Sequence, residues 1–258
     1  SLMQNKIKKM GYKVVLSGNG ADEIFAGYYD HYLYHLYDLK KYHSKKIFSD
    51  NYADWERHIF PLIRNPDYKN FKNYEKNNNK ITLIKEYTEL IKNNKSLHSK
   101  SNTFYESDLK NKMINQIPER LYPILYMDDL NSMMNSIENR TPFLDRNLIE
   151  YIFSLPSNIF IKNGFSKYLL RNSMKKILNP KVRNLRRKYG FNASLSSFND
   201  VNKKSLINYI FDNMNNLENY VYPKQIYEFL NGIDFDNMTD KENKFLFRLV
   251  STSAFLKI

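Results

Sequence analysis

The feature that most constrains this chain is a short apolar run that leads directly into glycines. Residues 13–16 read Lys-Val-Val-Leu, and residues 17–20 read Ser-Gly-Asn-Gly. This pattern is typical of a buried parallel strand that enters a loop. A parallel strand needs partners at its edges, and the sequence has no second convincing run of this kind. We therefore expect one residual parallel strand whose sheet continues N-terminal to residue 1. Weak pairing, or pairing with another chain, is the alternative.

The remaining periodic segments favour helices. Residues 3–11 are typical of the end of a helix capped by Gly11, which can adopt a positive φ without steric cost. Met133 and Met134 are expected to fill a core. Further helical periods cover 81–92, 121–134, 147–155 and 165–178. The fold class predicted from these patterns is mainly α with a residual parallel strand.

Composition excludes several kinds of protein. An aromatic fraction of 15% indicates a folded chain. The absence of cysteine excludes disulfides, zinc–thiolate sites and cysteine nucleophiles, and it is compatible with a cytoplasmic location. No run of about twenty apolar residues predicts a membrane span. The net charge of +13 comes from scattered lysines, as an AT-rich genome would produce, so we expect no specific nucleic-acid partner.

The glycine-containing loop carries the first candidate site. Gly18 and Gly20 would let backbone N–H groups approach a ligand, and Ser17 adds a hydroxyl at the carboxyl end of the strand. Asp22 and Glu23 follow, and two carboxylates can hold Mg²⁺ together with phosphate oxygens. The alternative is an ordinary glycine turn before a solvated acidic helix.

Residues 132–145 form a second motif, Ser-Met-Met-Asn-Ser-Ile-Glu-Asn-Arg-Thr-Pro-Phe-Leu-Asp. Here a structural role is favoured over a functional one. Glu138 and Arg140 could form an ion pair that fixes the turn before Pro142. Asp145 is suited to cap the helix that follows.

Two further motifs are basic. Lys167 and Arg171 are four residues apart, so on a helix beginning near Ser166 they would share one face and repel unless an anion lay beside them. Residues 183–191 read Arg-Asn-Leu-Arg-Arg-Lys-Tyr-Gly-Phe and suggest a loop that folds over an anion. For each motif taken alone, a solvated basic surface is the alternative.

Together and in this order, the four motifs resemble the asparagine synthetase family, in its ATP-using synthetase domain. Residues 16–28 match the pattern Leu-Ser-Gly-x-Gly-x-Asp-Glu-(Leu/Ile)-Phe-x-Gly-Tyr, and residues 132–145 match Ser-Met-x-x-Ser-x-Glu-x-Arg-x-Pro-Phe-Leu-Asp. Residues 166–171 resemble Thr-Lys-Tyr-Leu-Leu-Arg, and 187–191 resemble Lys-Lys-Gly-Phe with one Tyr interposed.

The resemblance implies a fragment of an α/β adenine-nucleotide α-hydrolase-like (PP-loop) synthetase domain. One partial domain would cover 1–258, with the end of the nucleotide-binding sheet and its loop in 3–40 and a helical region in 41–258. Family members use ATP to convert aspartate into a β-aspartyl-adenylate, which ammonia then attacks. By resemblance, Lys167 would steady the departing pyrophosphate. Four residues would bind ATP or the adenylate, namely Ser17, Gly18, Gly20 and Arg171. Asp22, possibly with Glu23, would hold Mg²⁺.

Two departures from the family pattern bear on activity. Asn19 occupies a position where the family carries an acidic residue that can accept a proton, and Asn cannot; Glu23 could substitute. The pyrophosphate loop Ser-Gly-Gly-x-Asp-Ser and a glutamine-hydrolysing cysteine do not occur in the chain. We therefore expect this chain alone to bind ATP poorly.

Three functions remain open at this point. The first is a fragment of an asparagine-forming ligase. The second is an amidotransferase-like enzyme of surface-polysaccharide synthesis that acts on another carboxylate. The third is a non-catalytic module. Exposed apolar side chains at Val14 and Leu16 would favour a homo-oligomer.

Overall fold

The computed structural model describes residues 2–63, 66–71, 85–92, 103–188 and 203–256. The chain divides into two compact units. The first comprises Ser1–Asn78 and Lys100–Lys188, and the second Asn79–Ser99 and Tyr189–Ile258. The expected single partial domain over 1–258 stays a prediction. Of the basic motif 183–191, positions 189–191 lie outside the described residues.

The first unit is mostly helical in its described residues. Its α-helices are α1 Leu2–Lys9, α2 Ala21–Ile24, α3 Tyr29–Tyr42, α4 Lys45–His58, α5 Asp108–Gln116, α6 Tyr122–Met133, α7 Arg146–Ser154, α8 Tyr168–Ser173 and α9 Pro180–Arg183. A π-helical segment, Ile117–Leu121, joins α5 to α6. Short 3₁₀ turns lie at Phe60–Leu62, Pro66–Lys69, Pro142–Leu144 and Ser157–Ile159.

The second unit is mostly helical in its described residues. A 3₁₀ segment, Lys85–Leu90, is followed by α10 Lys203–Asp212, α11 Met214–Leu217, α12 Pro223–Gly232 and α13 Asp240–Phe255. Thr239 caps α13 through a capping box with Glu242. Apolar side chains from these helices form a core of their own, which includes Ile210, Ile226 and Leu246. None of the predicted site residues lies in this unit.

A two-stranded parallel sheet connects distant parts of the first unit. Strand β1 is Val14–Leu16 and strand β2 is Glu138–Arg140, paired in the register Val14↔Glu138, Val15↔Asn139 and Leu16↔Arg140. The expectation of one residual strand was therefore incomplete, because β1 has a partner within the chain. Strand β2 is polar and lacks the apolar run that identified β1. The expected ion pair is present, with 2.6 Å between Arg140 Nε and Glu138 Oε1.

Several local predictions have definite outcomes. Helix α1 ends at Lys9, and Gly11 has the expected positive φ of 86°. Met133 and Met134 are 52% and 78% exposed, so the prediction that they fill a core was wrong. Val14 and Leu16 are also exposed, so β1 is not the fully buried strand that its apolar run predicted. No described helix is long and apolar enough to cross a membrane.

The core of the first unit includes residues that directly follow the glycine loop. Ile24 and Phe25 come directly after the glycine loop and join this core together with Leu33, Trp55 and Phe160. Burial of apolar side chains is the main favourable contribution to folding. The chain that leaves the loop is therefore anchored in the buried core of this unit.

Candidate functional site around the glycine loop

The loop after β1 is fixed by hydrogen bonds and by packing. The Ser17 N–H donates to the Arg140 carbonyl at 2.7 Å, and the Asn19 N–H donates to Ser17 Oγ at 3.2 Å. Gly20 has a φ of 93°, and a Cβ added there would lie 2.4 Å from Leu144 Cδ2. Both the backbone angle and the neighbour therefore require glycine at position 20. A Cβ added at Gly18 would meet nothing within 4 Å, so the backbone at Gly18 is open to an approaching ligand.

Two lysines converge on Asp22. Lys167 Nζ lies 2.8 Å from Asp22 Oδ1, and Lys188 Nζ lies 3.2 Å from Asp22 Oδ2. The structure thus brings Lys167 to the glycine loop, although 145 positions separate it from Asp22 in the sequence. Lys188 belongs to the basic motif of 183–191, which the sequence suggested could fold over an anion. The three side chains carry one net positive charge, which suits an anionic ligand.

Gly27 packs closely against the side chains of Asp22 and Lys167, so a larger residue does not fit at position 27. A Cβ added at Gly27 would lie 2.0 Å from Asp22 Oδ1 and 2.4 Å from Lys167 Cε. Lys167 is the N-cap residue of α8 and has a left-handed backbone, with φ 53° and ψ 32°. The helix begins only at Tyr168, so the prediction that Ser166 caps it was wrong. The left-handed turn at Lys167 accompanies the contact of its ammonium group with Asp22.

Glu23 is buried and paired with a phenol. Its side chain is almost inaccessible, and the Tyr28 hydroxyl donates a hydrogen bond to Glu23 Oε1. Burial, followed by the negative charge of Glu23, raises the pKa of Tyr28 far above its ordinary value. Lys188 Nζ lies 3.7 Å from the centroid of the Tyr28 ring, and the Arg120 guanidinium lies 5.2 Å from it. Tyr28 therefore connects the carboxylate of Glu23 to the two cations nearest its ring.

A buried carboxylate on α3 anchors Arg120. Asp30 Oδ2 lies 3.6 Å from Arg120 Nη2 and 3.8 Å from Lys112 Nζ. Burial acts to raise the pKa of Asp30, but electrostatic interactions with His31, Arg120 and Lys112 hold it below its ordinary value. Arg120 lies in the π-helical segment, and such segments occur frequently at functional sites.

A buried histidine completes this network. The Tyr28 N–H donates to His31 Nδ1 at 3.4 Å, which assigns the ring proton to Nε2. His31 Nε2 then donates to Gln116 Oε1 at 2.6 Å, and Gln116 Nε2 donates to Asp30 Oδ2 at 3.1 Å. Burial lowers the pKa of His31, which favours the neutral ring that this pattern requires. These hydrogen bonds connect the first turn of α3 with Gln116 in α5.

Asn19 contacts a residue that sequence reasoning did not identify. Its Nδ2 donates to Asp128 Oδ2 at 2.7 Å. Asp128 lies on α6, half-buried on a helix whose other side chains are mostly exposed. No local signal distinguishes Asp128 from its neighbour Asp129 in the sequence. Strand β2 follows α6 in the sequence. The pairing of β2 with β1 therefore places α6 near the loop that follows β1.

Arg171 is directed elsewhere. Its Nε donates to the Ser166 carbonyl at 2.8 Å, and its Nη1 donates to the carbonyls of Val182, at 3.3 Å, and Arg183. It lines a separate open pocket together with Lys175 and Arg183. Among the described residues Arg171 makes no ion pair with Asp22, so the structure does not bring it to the loop beside Lys167. Its assignment to ATP binding stays a prediction.

The described residues fit an anion better than a divalent metal. Both oxygens of Asp22 lie within ion-pair distance of ammonium groups, and Glu23 is buried against Tyr28. Within the ranges that the structure describes, no group of three acidic, histidine or cysteine side chains could hold a metal ion. Magnesium is usually held by one or two carboxylates together with phosphate oxygens of a substrate, so the assignment of Asp22, possibly with Glu23, to Mg²⁺ stays a prediction.

The chain was compared with family models, with curated proteins and with solved structures. The family model described as asparagine synthase matches residues 1–253. A curated relative, "Asparagine synthetase [glutamine-hydrolyzing] 1" of Bacillus subtilis (strain 168), is 41% identical over 68 residues. The match covers 26% of this chain and 11% of that protein, so the chain spans only a small part of the relative's length. No solved structure matches this chain.

Proposed function

The chain belongs to the asparagine synthase family, and from that premise we propose that it takes part in ATP-dependent conversion of a carboxylate into an amide. The observation that carries this proposal is the pair of ammonium groups, Lys167 and Lys188, on Asp22 beside the open backbone of Gly18. A polyphosphate would bring negative charge to a place where two fixed cations lie close together. Aspartate is the acid we propose, and the cytoplasm the location.

In the first proposed step, a carboxylate oxygen of the acid attacks the α-phosphorus of ATP. The bond to the β,γ-diphosphate breaks, and the acyl-adenylate and pyrophosphate form. Pyrophosphate carries more charge as it leaves than it carried in ATP, so cations already in place lower the barrier. We assign this role to Lys167 and Lys188. The backbone at Gly18, with the Ser17 hydroxyl, would contact the nucleotide.

In the second proposed step, ammonia attacks the acyl carbon of the adenylate. The acyl–oxygen bond breaks, AMP leaves, and the nitrogen releases one proton to solvent water. Glu23 is a poor candidate to accept this proton, because it is buried and hydrogen-bonded by Tyr28. Tyr28 and Arg120 would instead keep Glu23 and the loop in position.

The test of this proposal uses the full gene product that contains this chain. Aspartate-dependent exchange of pyrophosphate into ATP reports the first step, and ammonia-dependent AMP formation reports the second. Lys167→Met should lower the exchange rate by about 10²–10³-fold, because a cation preorganised for the leaving group is lost. Lys176→Met, at an exposed position shortly after α8, is the matched control and should leave exchange unchanged.

Other outcomes separate the alternatives. Exchange that requires a different carboxylic acid would replace aspartate as the substrate and favour the polysaccharide amidotransferase. No exchange with any acid would favour a non-catalytic module. An equal loss in both lysine variants would remove the role assigned to Lys167.

A further inference from the structure

The carboxylates around the glycine loop differ in the groups that bind their oxygens. Asp22 lies within 2.8 Å of Lys167 Nζ and 3.2 Å of Lys188 Nζ. Glu23 is buried and accepts a hydrogen bond from the Tyr28 hydroxyl. Asp22 is therefore already paired with two ammonium groups, and Glu23 is buried beside a phenol.

Asp128 differs from both. Its Oδ2 accepts a hydrogen bond from the neutral side-chain amide of Asn19 at 2.7 Å. In the part of the chain that the structure describes, no lysine, arginine or histidine forms an ion pair with Asp128. A neutral amide stabilises a carboxylate less than an ammonium or guanidinium group does. Among the described residues, the negative charge of Asp128 at the loop is therefore not paired with a cation.

Asn19 gives this carboxylate a defined position. Its backbone N–H is bound by Ser17 Oγ, and the Ser17 N–H is bound by the carbonyl of Arg140 in β2. Because the amide nitrogen of Asn19 donates to Asp128, its amide oxygen remains as a second acceptor. The pair thus offers a charged acceptor and a neutral acceptor from a loop held by the sheet. Such a set of acceptors suits a nitrogen that carries several N–H groups.

We infer that Asp128 and Asn19 bind the amine nitrogen of a substrate, with the Asp128 carboxylate accepting its N–H groups. This inference rests on the proposed function, in which two nitrogens qualify: the incoming ammonia and the α-ammonium group of an amino-acid substrate. The loop then carries two binding positions of opposite character. Lys167 and Lys188 receive the anionic diphosphate, and Asp128 receives the nitrogen.

The test compares Asp128→Asn with Asp129→Asn in the full gene product. The two positions are adjacent on α6, and Asp129 is exposed, so the control removes the same charge from the same helix. Asp128→Asn should raise the KM for one nitrogen substrate by about 10–100-fold, because a charge-assisted hydrogen bond is lost. An increase for ammonia alone assigns the site to the nucleophile. An increase for the amino acid alone assigns it to the α-ammonium group.

The wild-type protein separates this inference from the one on which it depends. Absence of pyrophosphate exchange in wild type would remove the proposed function and, with it, this inference. If wild type is active and both KM values of Asp128→Asn equal those of Asp129→Asn, the inference alone is overturned. Asp128→Glu, which keeps the charge, should recover part of the loss. A loss as large as that of Asp128→Asn, in a variant with wild-type thermal stability, would also overturn it.

Discussion

Gly18 and Gly27 lie on either side of Asp22 in the sequence and differ in the space around them. Gly18→Ala adds a methyl group in open space, so the stability of the first unit should not change. Gly27→Ala places a methyl group on Asp22 and Lys167 and should cost about 1–3 kcal/mol, as overpacking generally does. Urea unfolding of the two variants measures the difference. Equal stabilities would contradict the packing at Gly27.

The same pair of variants bears on the ligand. If a nucleotide approaches the backbone at Gly18, the methyl group of Gly18→Ala will obstruct it in a protein of normal stability. We expect the KM for ATP to increase while the unfolding midpoint stays constant. An unchanged KM would show that no ligand comes near this position.

His35 makes the stability of the first unit depend on pH. It is buried on α3, and burial lowers its pKa to about 4, with a smaller contribution from His43. The unfolded histidine titrates near its ordinary pKa of 6.5 and so binds a proton at a higher pH than the folded one does. Stability is therefore complete above pH 6.5 and decreases as the pH falls toward 4, by about 3 kcal/mol from this residue.

His35→Gln removes this titration. The free energy of unfolding measured between pH 7 and pH 4 should fall less steeply in this variant, by the equivalent of one proton. His31 is also buried and has a lowered pKa. It therefore still makes the free energy of unfolding fall with decreasing pH, in the wild type and in His35→Gln alike. His58→Gln, at a partly exposed position on α4, is the control. An unchanged slope in His35→Gln would mean that His35 is protonated in the folded state.

At the scale of the elements, the π-helical segment Ile117–Leu121 positions Arg120 beside Asp30. Arg120→Met would leave the buried Asp30 with Lys112 as its remaining cation. Since Arg120 is partly exposed, we expect a loss of about 1–2 kcal/mol, below the usual cost of breaking a fully buried pair. Arg146→Met removes an exposed pair with Glu150 on α7 and should cost less than about 0.5 kcal/mol.

Denaturant unfolding with an unchanged m-value is the measurement for both arginine variants. Equal losses would mean that the burial of Asp30 contributes nothing. In that case the π-helical segment would have no structural role through Arg120.

The elements also show which parts of the fold a sequence can reveal. The positive φ of Gly11 after the end of α1 and the cap of α7 by Asp145, which accepts the Leu148 N–H at 3.1 Å, depend on neighbours within a few residues. Both were predicted. Strand β2 was not predicted, because its polar residues become a strand only by pairing with β1, more than 120 positions earlier.

The candidate site follows the same division. Local motif order identified Asp22 and Lys167, and the structure brings their side chains together. Asp128 carries no local signal, because its contact with Asn19 spans 109 positions. For Arg171, spacing suggests a shared face with Lys167 but cannot specify which backbone carbonyls bind its guanidinium. Long-range packing decides both cases.

At the scale of the whole molecule, exposed apolar side chains on the sheet predict self-association. Leu16 is 69% exposed at the end of β1, and an uncovered strand edge favours pairing with another chain. Leu16→Lys should shift sedimentation toward the monomer, because a charge there opposes edge pairing. Ile177→Lys, at a position that is 76% exposed, introduces the same charge away from the sheet and should have no such effect. A monomer at every wild-type concentration would contradict the prediction.

The left-handed backbone of Lys167 has a consequence for selection experiments on this protein. A residue with a Cβ is disfavoured in that conformation by about 1 kcal/mol, a penalty from which glycine is free. A library sorted for heat resistance alone would therefore enrich Lys167→Gly, and the ammonium group beside Asp22 would be discarded early. Thermostable descendants selected without an activity screen should accordingly be the ones in which Asp22 has lost the nearer of its two lysines.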